Sequence, residues 1–167
     1  KDSNRVSLQT ELQRVLHTVR VRFHTDTQPA ELAEFPPGQI TNETLHRFFQ
    51  DHKPAPFDNA PLETLVNYSC YDLDIFRQFV WGYRLFATTH EVLVLFLHRF
   101  ETAVSIDTPL SSMVRLRIVS VLSYWANNIY PLLPEKEKNE AAQLYVVFLE
   151  RMKSYGMRKQ AKQLADI

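Results

Sequence analysis

The sequence predicts an all-α fold, an irregular multi-helix bundle built around antiparallel helical hairpins. Apolar residues recur at intervals of three and four along much of its 167 residues, which is the spacing of one face of an α-helix. Only three glycines occur, and no run alternates apolar and polar residues as a half-buried strand does. Helical spacing combined with few turn residues therefore favours helices over strands.

Two strongly apolar helices are predicted between Asp72 and Glu101, separated by a short corner at residues 85–87. Asp72 can cap the first helix, because its carboxylate can accept hydrogen bonds from the free amides of the first turn. Thr88 and Glu91 have the spacing of a capping box, in which each side chain bonds the backbone amide of the other. The second helix is apolar around so much of its circumference that we expect it to be buried.

An N-terminal extension is expected over residues 1–57. Residues 5–23 predict a helix with one narrow apolar stripe, which is typical of a helix that packs on the outside of its own domain. Docking onto a partner is the alternative interpretation of that stripe. Residues 25–40 contain three prolines and indicate a linker, and a short helix is expected after the capping residue Thr41.

Further helices are expected on both sides of the central pair. A short one begins near Pro61, and a clean apolar face runs from Val114 to Ile129 after a loop at residues 105–112. The next helix has acidic residues near its start and basic residues near its end, which suits the helix dipole, and Gly156 is a plausible stop. Residues 58–155 are thus expected to form the main domain, with a connector at 156–167.

The apolar faces of these helices are expected to share one core. Its predicted members are Phe76, Phe79, Tyr83, Phe86, Leu93, Phe96, Leu97, Phe100, Val121, Leu122, Trp125, Leu144 and Phe148.

Composition argues against several classes of function. The formal net charge is zero, whereas a nucleic-acid-binding surface needs a cationic excess. No run approaches the roughly 18 apolar residues of a membrane span. Cys70 is the single cysteine, so no internal disulfide is expected, which suits a cytoplasmic protein. The basic residues between Arg151 and Lys162 are interpreted as a solvated face, in preference to a lipid-binding surface.

The residues that carry chemistry are scattered. No glycine-rich phosphate loop is present, and His90-Glu91 begins a zinc-protease pattern that fails because Val94 occupies the position of the second histidine. The six histidines lack metal-ligand spacing. The sequence therefore predicts no catalytic residue, no cofactor and no metal.

Two blocks of sequence carry a family resemblance. The first is Tyr83-Arg84-x-Phe86-x-Thr88, followed by an apolar helix that ends in Arg99-Phe100-Glu101. The second is the run from Leu116 to Trp125. Both resemble the N-terminal domain of Ras-family guanine-nucleotide exchange factors, the Ras exchanger motif, over residues from about 60 to 153. That family usually has proline where Thr89 stands, the first helical position, which proline tolerates best.

The resemblance implies a domain that does not itself release nucleotide. It would pack beside a separate catalytic exchange domain in the same polypeptide and stabilise it, in a cytoplasmic protein that other segments could recruit to membranes. One alternative is a module that binds a Ras- or Rap-type GTPase directly, and another is a helical adaptor unrelated to exchange. Arg84 is the candidate partner-binding residue, although it could instead bond the terminal carbonyls of its own helix.

Overall fold

A computed structural model describes residues 62–106 and 108–167 of the chain. Six α-helices lie in these ranges: α1 (Leu62–Ser69), α2 (Leu73–Gly82), α3 (Thr89–Ile106), α4 (Pro109–Asn128), α5 (Glu135–Ser154) and α6 (Arg158–Ala165). Two 3-10 turns, Tyr83–Leu85 and Tyr130–Leu132, follow α2 and α4. No strand occurs among the described residues, and the predicted all-α fold is confirmed. The extension at 1–57, with its helix at 5–23, its linker at 25–40 and its helix after Thr41, lies outside them.

Both predicted caps of the central helical pair are confirmed. Oδ1 of Asp72 accepts hydrogen bonds from the amides of Asp74, at 2.8 Å, and Ile75, at 3.2 Å. The Thr88 amide donates to Oε2 of Glu91 at 2.9 Å, and the Glu91 amide donates to Oγ1 of Thr88 at 3.2 Å. Because each bond satisfies an amide that the helix itself leaves free, these local contacts determine where α2 and α3 begin.

Helix α3 lies at the centre of the bundle, in contact with α1, α4 and α5. Its side chains from Val92 to Leu97 are all buried, as is Phe100, whose ring lies 4.9 Å from that of Phe148 on α5. A helix that is apolar on nearly every side is stable in water only when neighbours cover all of it. Helices α1, α4 and α5 pack against it, and Phe79 of α2 contacts Phe96.

The loop expected at residues 105–112 is much shorter than predicted. Helix α3 continues to Ile106, and α4 already begins at Pro109. Thr108 caps α4 through a capping box with Ser111, and proline occupies the first helical position. A proline at this position signals the start of a helix, because it lacks the amide that would have no partner there. The prediction read that start signal as a loop.

Helix α5 ends at a glycine turn, as predicted. Gly156 has φ +81°, and its amide donates to the carbonyl of Lys153 while the Met157 amide donates to that of Met152. This pair of bonds is a Schellman motif, which satisfies carbonyls that the helix end leaves free. After the turn, α6 folds back against α5 and α4, with Ala161 and Leu164 buried.

Eleven of the thirteen residues expected in the core are buried, and Leu144 is half-buried against them. The prediction for Phe86 is wrong, because its side chain is 60% exposed. Continued α-helical spacing would have kept Phe86 on the buried face. The backbone instead leaves the α-helix after Gly82 through the 3-10 turn, which rotates Phe86 outward and leaves its ring 6.3 Å from that of Phe79.

Candidate interaction site at the corner between α2 and α3

Four helix ends meet at one end of the bundle. Helix α2 ends there, α3 begins, α4 ends and α5 begins, and hydrogen bonds between their terminal residues hold them together. The 3-10 turn Tyr83–Leu85 forms the corner between α2 and α3. Side chains that converge at this corner include Arg84, the candidate partner-binding residue.

A chain of hydrogen bonds connects the four ends. The Trp125 indole Nε1 lies 3.4 Å from the Tyr83 hydroxyl, which lies 2.8 Å from Oγ1 of Thr89. Oγ1 of Thr89 lies 3.0 Å from Oε2 of Glu137. Trp125 and Tyr83 are almost fully buried, and Thr89 is 3% exposed.

The direction of each bond in this chain follows from the groups. An ionised carboxylate only accepts, so Thr89 donates its single hydroxyl proton to Glu137. Tyr83 must then donate to Thr89, and the indole, which is a donor only, donates to Tyr83. Every proton therefore points toward Glu137, whose charge strengthens the bond that it receives. The chain joins α4, the corner, α3 and α5, and we call it the corner chain.

Arg84 lies at the outer end of the corner chain. Its Nη2 is 3.4 Å from Oε1 of Glu137, and the side chains of Arg84 and Glu137 are 43% and 36% exposed. An exposed ion pair of this length contributes little to stability, about 0–1 kcal/mol. The structure thus places Arg84 against a side chain of α5 and not against the terminal carbonyls of α2.

Large apolar side chains at this end of the bundle are exposed. Leu85 is 91% exposed, Phe86 is 60% exposed, and Leu132, in the 3-10 turn before α5, is 61% exposed. We call the exposed parts of these three residues and Arg84 the corner surface. Trp81 flanks it on α2, with its indole Nε1 donating to the Tyr124 hydroxyl at 3.1 Å. Exposed apolar side chains gathered in this way are typical of an interaction site.

A second polar cluster ties the opposite end of the bundle. Both Arg151 Nε and the Tyr155 hydroxyl donate to the Glu101 carboxylate at 2.7 Å, which joins the ends of α3 and α5. Burial and then the hydrogen bond to Glu101 raise the pKa of Tyr155. Burial alone raises the pKa of Tyr145 to about 12, and its hydroxyl donates to the Leu164 carbonyl.

Arg99 is a buried cation within α3 whose burial was not predicted from the sequence. Its side chain is 4% exposed, its Nη2 donates to the Tyr71 hydroxyl at 2.7 Å, and its guanidinium lies over the Tyr71 ring. These contacts fasten the segment between α1 and α2 to α3. Arginine in the expected burial stripe of an apolar helix was the signal that could have identified it.

Away from the corner, the described residues form a groove, but neither a metal-binding cluster nor a membrane-spanning helix. A shallow groove of about 450 Å³ lies between α4 and α6, lined mainly by serine, asparagine and glutamine side chains. No group of histidine, cysteine and acidic residues in the described ranges is arranged to hold a metal ion. Within those ranges, no helix has both the length and the apolar character to cross a bilayer.

Comparison with known families places this geometry in context. The RasGEF N-terminal motif matches residues 59–150, which is more than half of the chain. Neither curated proteins nor solved structures gave a significant match. The matched range includes α1–α4, most of α5 and the whole corner chain. The chain therefore belongs to the RasGEF N-terminal motif family, the motif found in guanine-nucleotide exchange factors for Ras-type GTPases.

Proposed function

We propose that this chain is a non-catalytic helical scaffold of a Ras-family exchange factor, which packs on and stabilises a separate catalytic exchange domain. The observation that carries the proposal is the family match, which spans the helices that the corner chain joins. The buried core and the hydrogen bonds of the corner chain support a rigid domain. Membership of the family supports a role beside an exchange domain.

A scaffold contributes most when it does not change shape on binding, because ordering a loose surface costs free energy at that moment. The centre of this domain is suited to that role. Helix α3 is buried along most of its length, and polar ties fasten it to α5 at both ends, through Glu137 near its start and Glu101 near its end. Partner contacts at the corner would therefore meet a preorganised surface.

Nucleotide-release assays test the proposal. The proteins are the chain alone, the exchange domain that the proposal places in the same polypeptide, and the two together. We expect the chain alone to leave the release rate of a Ras-type GTPase unchanged, and the pair to release nucleotide faster than the exchange domain alone. Release by the chain alone, or no gain for the pair, would contradict the proposal.

Direct binding to a GTPase is a second candidate, because Arg84 is exposed and one carboxylate contact leaves most of its donors available. Calorimetry with the chain and Ras- or Rap-type GTPases, loaded with GTP or GDP, separates the two functions. A scaffold acting only on the exchange domain gives no heat with any of them. Saturable heat would favour the direct-binding module.

A further inference from the structure

We infer that the corner surface is the face that contacts the exchange domain, and that Arg84 pairs there with a carboxylate of that domain. This inference rests on the proposed function and adds the location and chemistry of the contact. The surface of the exchange domain that fits here is an apolar ridge with an acidic residue at its edge.

The apolar part of the surface follows from the way the chain leaves α2. Leu85 ends the 3-10 turn and is 91% exposed. Phe86 follows, is 60% exposed, and has its ring tilted against that of Phe79 with 6.3 Å between the ring centres. Neither side chain is needed to fill the core, which is closed behind them by Tyr83 and Phe79. Two neighbouring apolar side chains in water raise the free energy of the isolated domain, and burial by a partner removes that cost.

The cationic part follows from the length of the Arg84 contact. At 3.4 Å to a single oxygen, the bond to Glu137 is longer than a well-formed charge-assisted hydrogen bond, and it uses few of the donors of the guanidinium. Glu137 also accepts from the buried Thr89 hydroxyl, so it stays fixed if Arg84 turns away. Arg84 can therefore reach a second carboxylate while the corner chain remains intact.

Charge at this end of the bundle favours a protein over an anionic lipid surface. The cations Arg84, Lys136 and Lys138 are balanced by the carboxylates of Glu91, Glu135 and Glu137. Attraction to anionic lipid increases with the net basic charge near the membrane, and these six residues carry no net charge. An apolar centre with one arginine at its edge is the composition of an energetically important protein contact.

The test measures binding of the full chain to the separately expressed exchange domain by calorimetry. The corner variants are Leu85→Asp, Leu85→Asp combined with Phe86→Asp, and Arg84→Glu. Matched controls are Leu116→Asp on α4 and Val146→Asp on α5, which are about half exposed. These controls lie about 16–18 Å along their helices from the corner end.

We expect each corner variant to weaken binding at least about tenfold, and the controls to bind like the wild type. Leu85→Asp alters a side chain that is almost entirely in solvent, so its thermal unfolding should match that of the wild type. Corner variants that bind as tightly as the wild type would overturn the location while leaving the proposed function intact. Absence of binding by the wild type would overturn both.

Sedimentation equilibrium of the chain alone checks for a second copy on the same face. We expect a monomer, for the wild type and for Leu85→Asp. A wild-type dimer that the Leu85→Asp substitution dissociates would show that the corner surface joins two copies of this chain, and it would overturn the inference.

Discussion

Thr89 donates a hydrogen bond from its Oγ1 to Oε2 of Glu137 across 3.0 Å, and this bond joins the first residue of α3 to the first turn of α5. The two residues are separated by 48 positions in the sequence. Because the same hydroxyl accepts from Tyr83, the Thr89 side chain is the middle of the corner chain. Its loss leaves two polar groups without their partner.

Thr89→Val keeps the shape of the side chain and removes the hydroxyl. We expect the free energy of unfolding to fall by about 1–3 kcal/mol, because the buried Tyr83 hydroxyl loses its acceptor. Chemical denaturation measures the change. Thr102→Val is the matched control, since that hydroxyl bonds only to the His98 carbonyl of its own helix. An equal loss in both variants would show that the corner chain adds nothing to stability.

Phe100 is buried and Phe86 is exposed, so replacing each with alanine tests which of the two rings belongs to the core. Phe100 has no exposed surface, so Phe100→Ala should lower the free energy of unfolding by about 3–5 kcal/mol through the cavity that it leaves. Phe86→Ala should cost about 0.5 kcal/mol or less, because its ring lies mostly in solvent. Both values come from denaturant unfolding. A Phe86→Ala loss as large as that of Phe100→Ala would mean that the ring is covered.

Two glycines should respond to alanine with opposite signs. Gly156 has φ +81°, so Gly156→Ala should lower the free energy of unfolding by about 1–2 kcal/mol. Gly82 ends α2 with φ −102°, where Gly82→Ala should raise it by about 0.4–1 kcal/mol. A Cβ at either site would meet nothing within 4 Å, so the backbone alone decides the sign. Thermal unfolding of both variants provides the check, and changes of the same sign would contradict this explanation.

Tyr145 should make the fold less stable at alkaline pH. Its folded pKa is raised to about 12, whereas an unfolded tyrosine titrates near about 10. Between these values the unfolded chain loses the proton while the folded chain keeps it. Unfolding therefore releases a proton there, and stability falls as pH rises. The full contribution is present below about pH 10.

Unfolding curves at a series of alkaline pH values measure this dependence for the wild type and for Tyr145→Phe. The variant loses the bond to the Leu164 carbonyl at every pH, but its stability should fall less steeply between about pH 10 and 12. Tyr68 and Tyr155 also have raised pKa values and supply the slope that remains. Parallel curves for the two proteins would assign the effect to other groups.

Features that depend on neighbouring residues were predictable from the sequence. The caps by Asp72 and by Thr88 with Glu91 follow from side chains and amides within three residues of one another. The turn at Gly156 and the burial of α3 also follow from local pattern. The start of α4 at Pro109 also has a local signal, the capping box of Thr108 and Ser111. That signal was missed because the proline lies in a polar stretch, which favoured the interpretation as a loop.

The exposure of Phe86 at the corner could not be predicted from spacing. Phe86 continues the three- and four-residue spacing of apolar residues along α2. The change from an α-helix to a 3-10 turn moves its side chain into solvent. Two of the three bonds in the corner chain join residues that lie 42 and 48 positions apart, so no local pattern connects them. The sequence offered one indication, which is that Thr89 stands where the family usually has proline and so places a hydroxyl at the start of α3. Its role emerges once α5 is placed beside it.

We propose that this helical domain stabilises a catalytic exchange domain in the same polypeptide. The most direct measurement is the melting temperature of that exchange domain, alone and with this chain attached in the same polypeptide. We expect a higher melting temperature for the joined protein, and a smaller increase when Leu85→Asp and Phe86→Asp are introduced together. An unchanged melting temperature with the chain attached would contradict the claim.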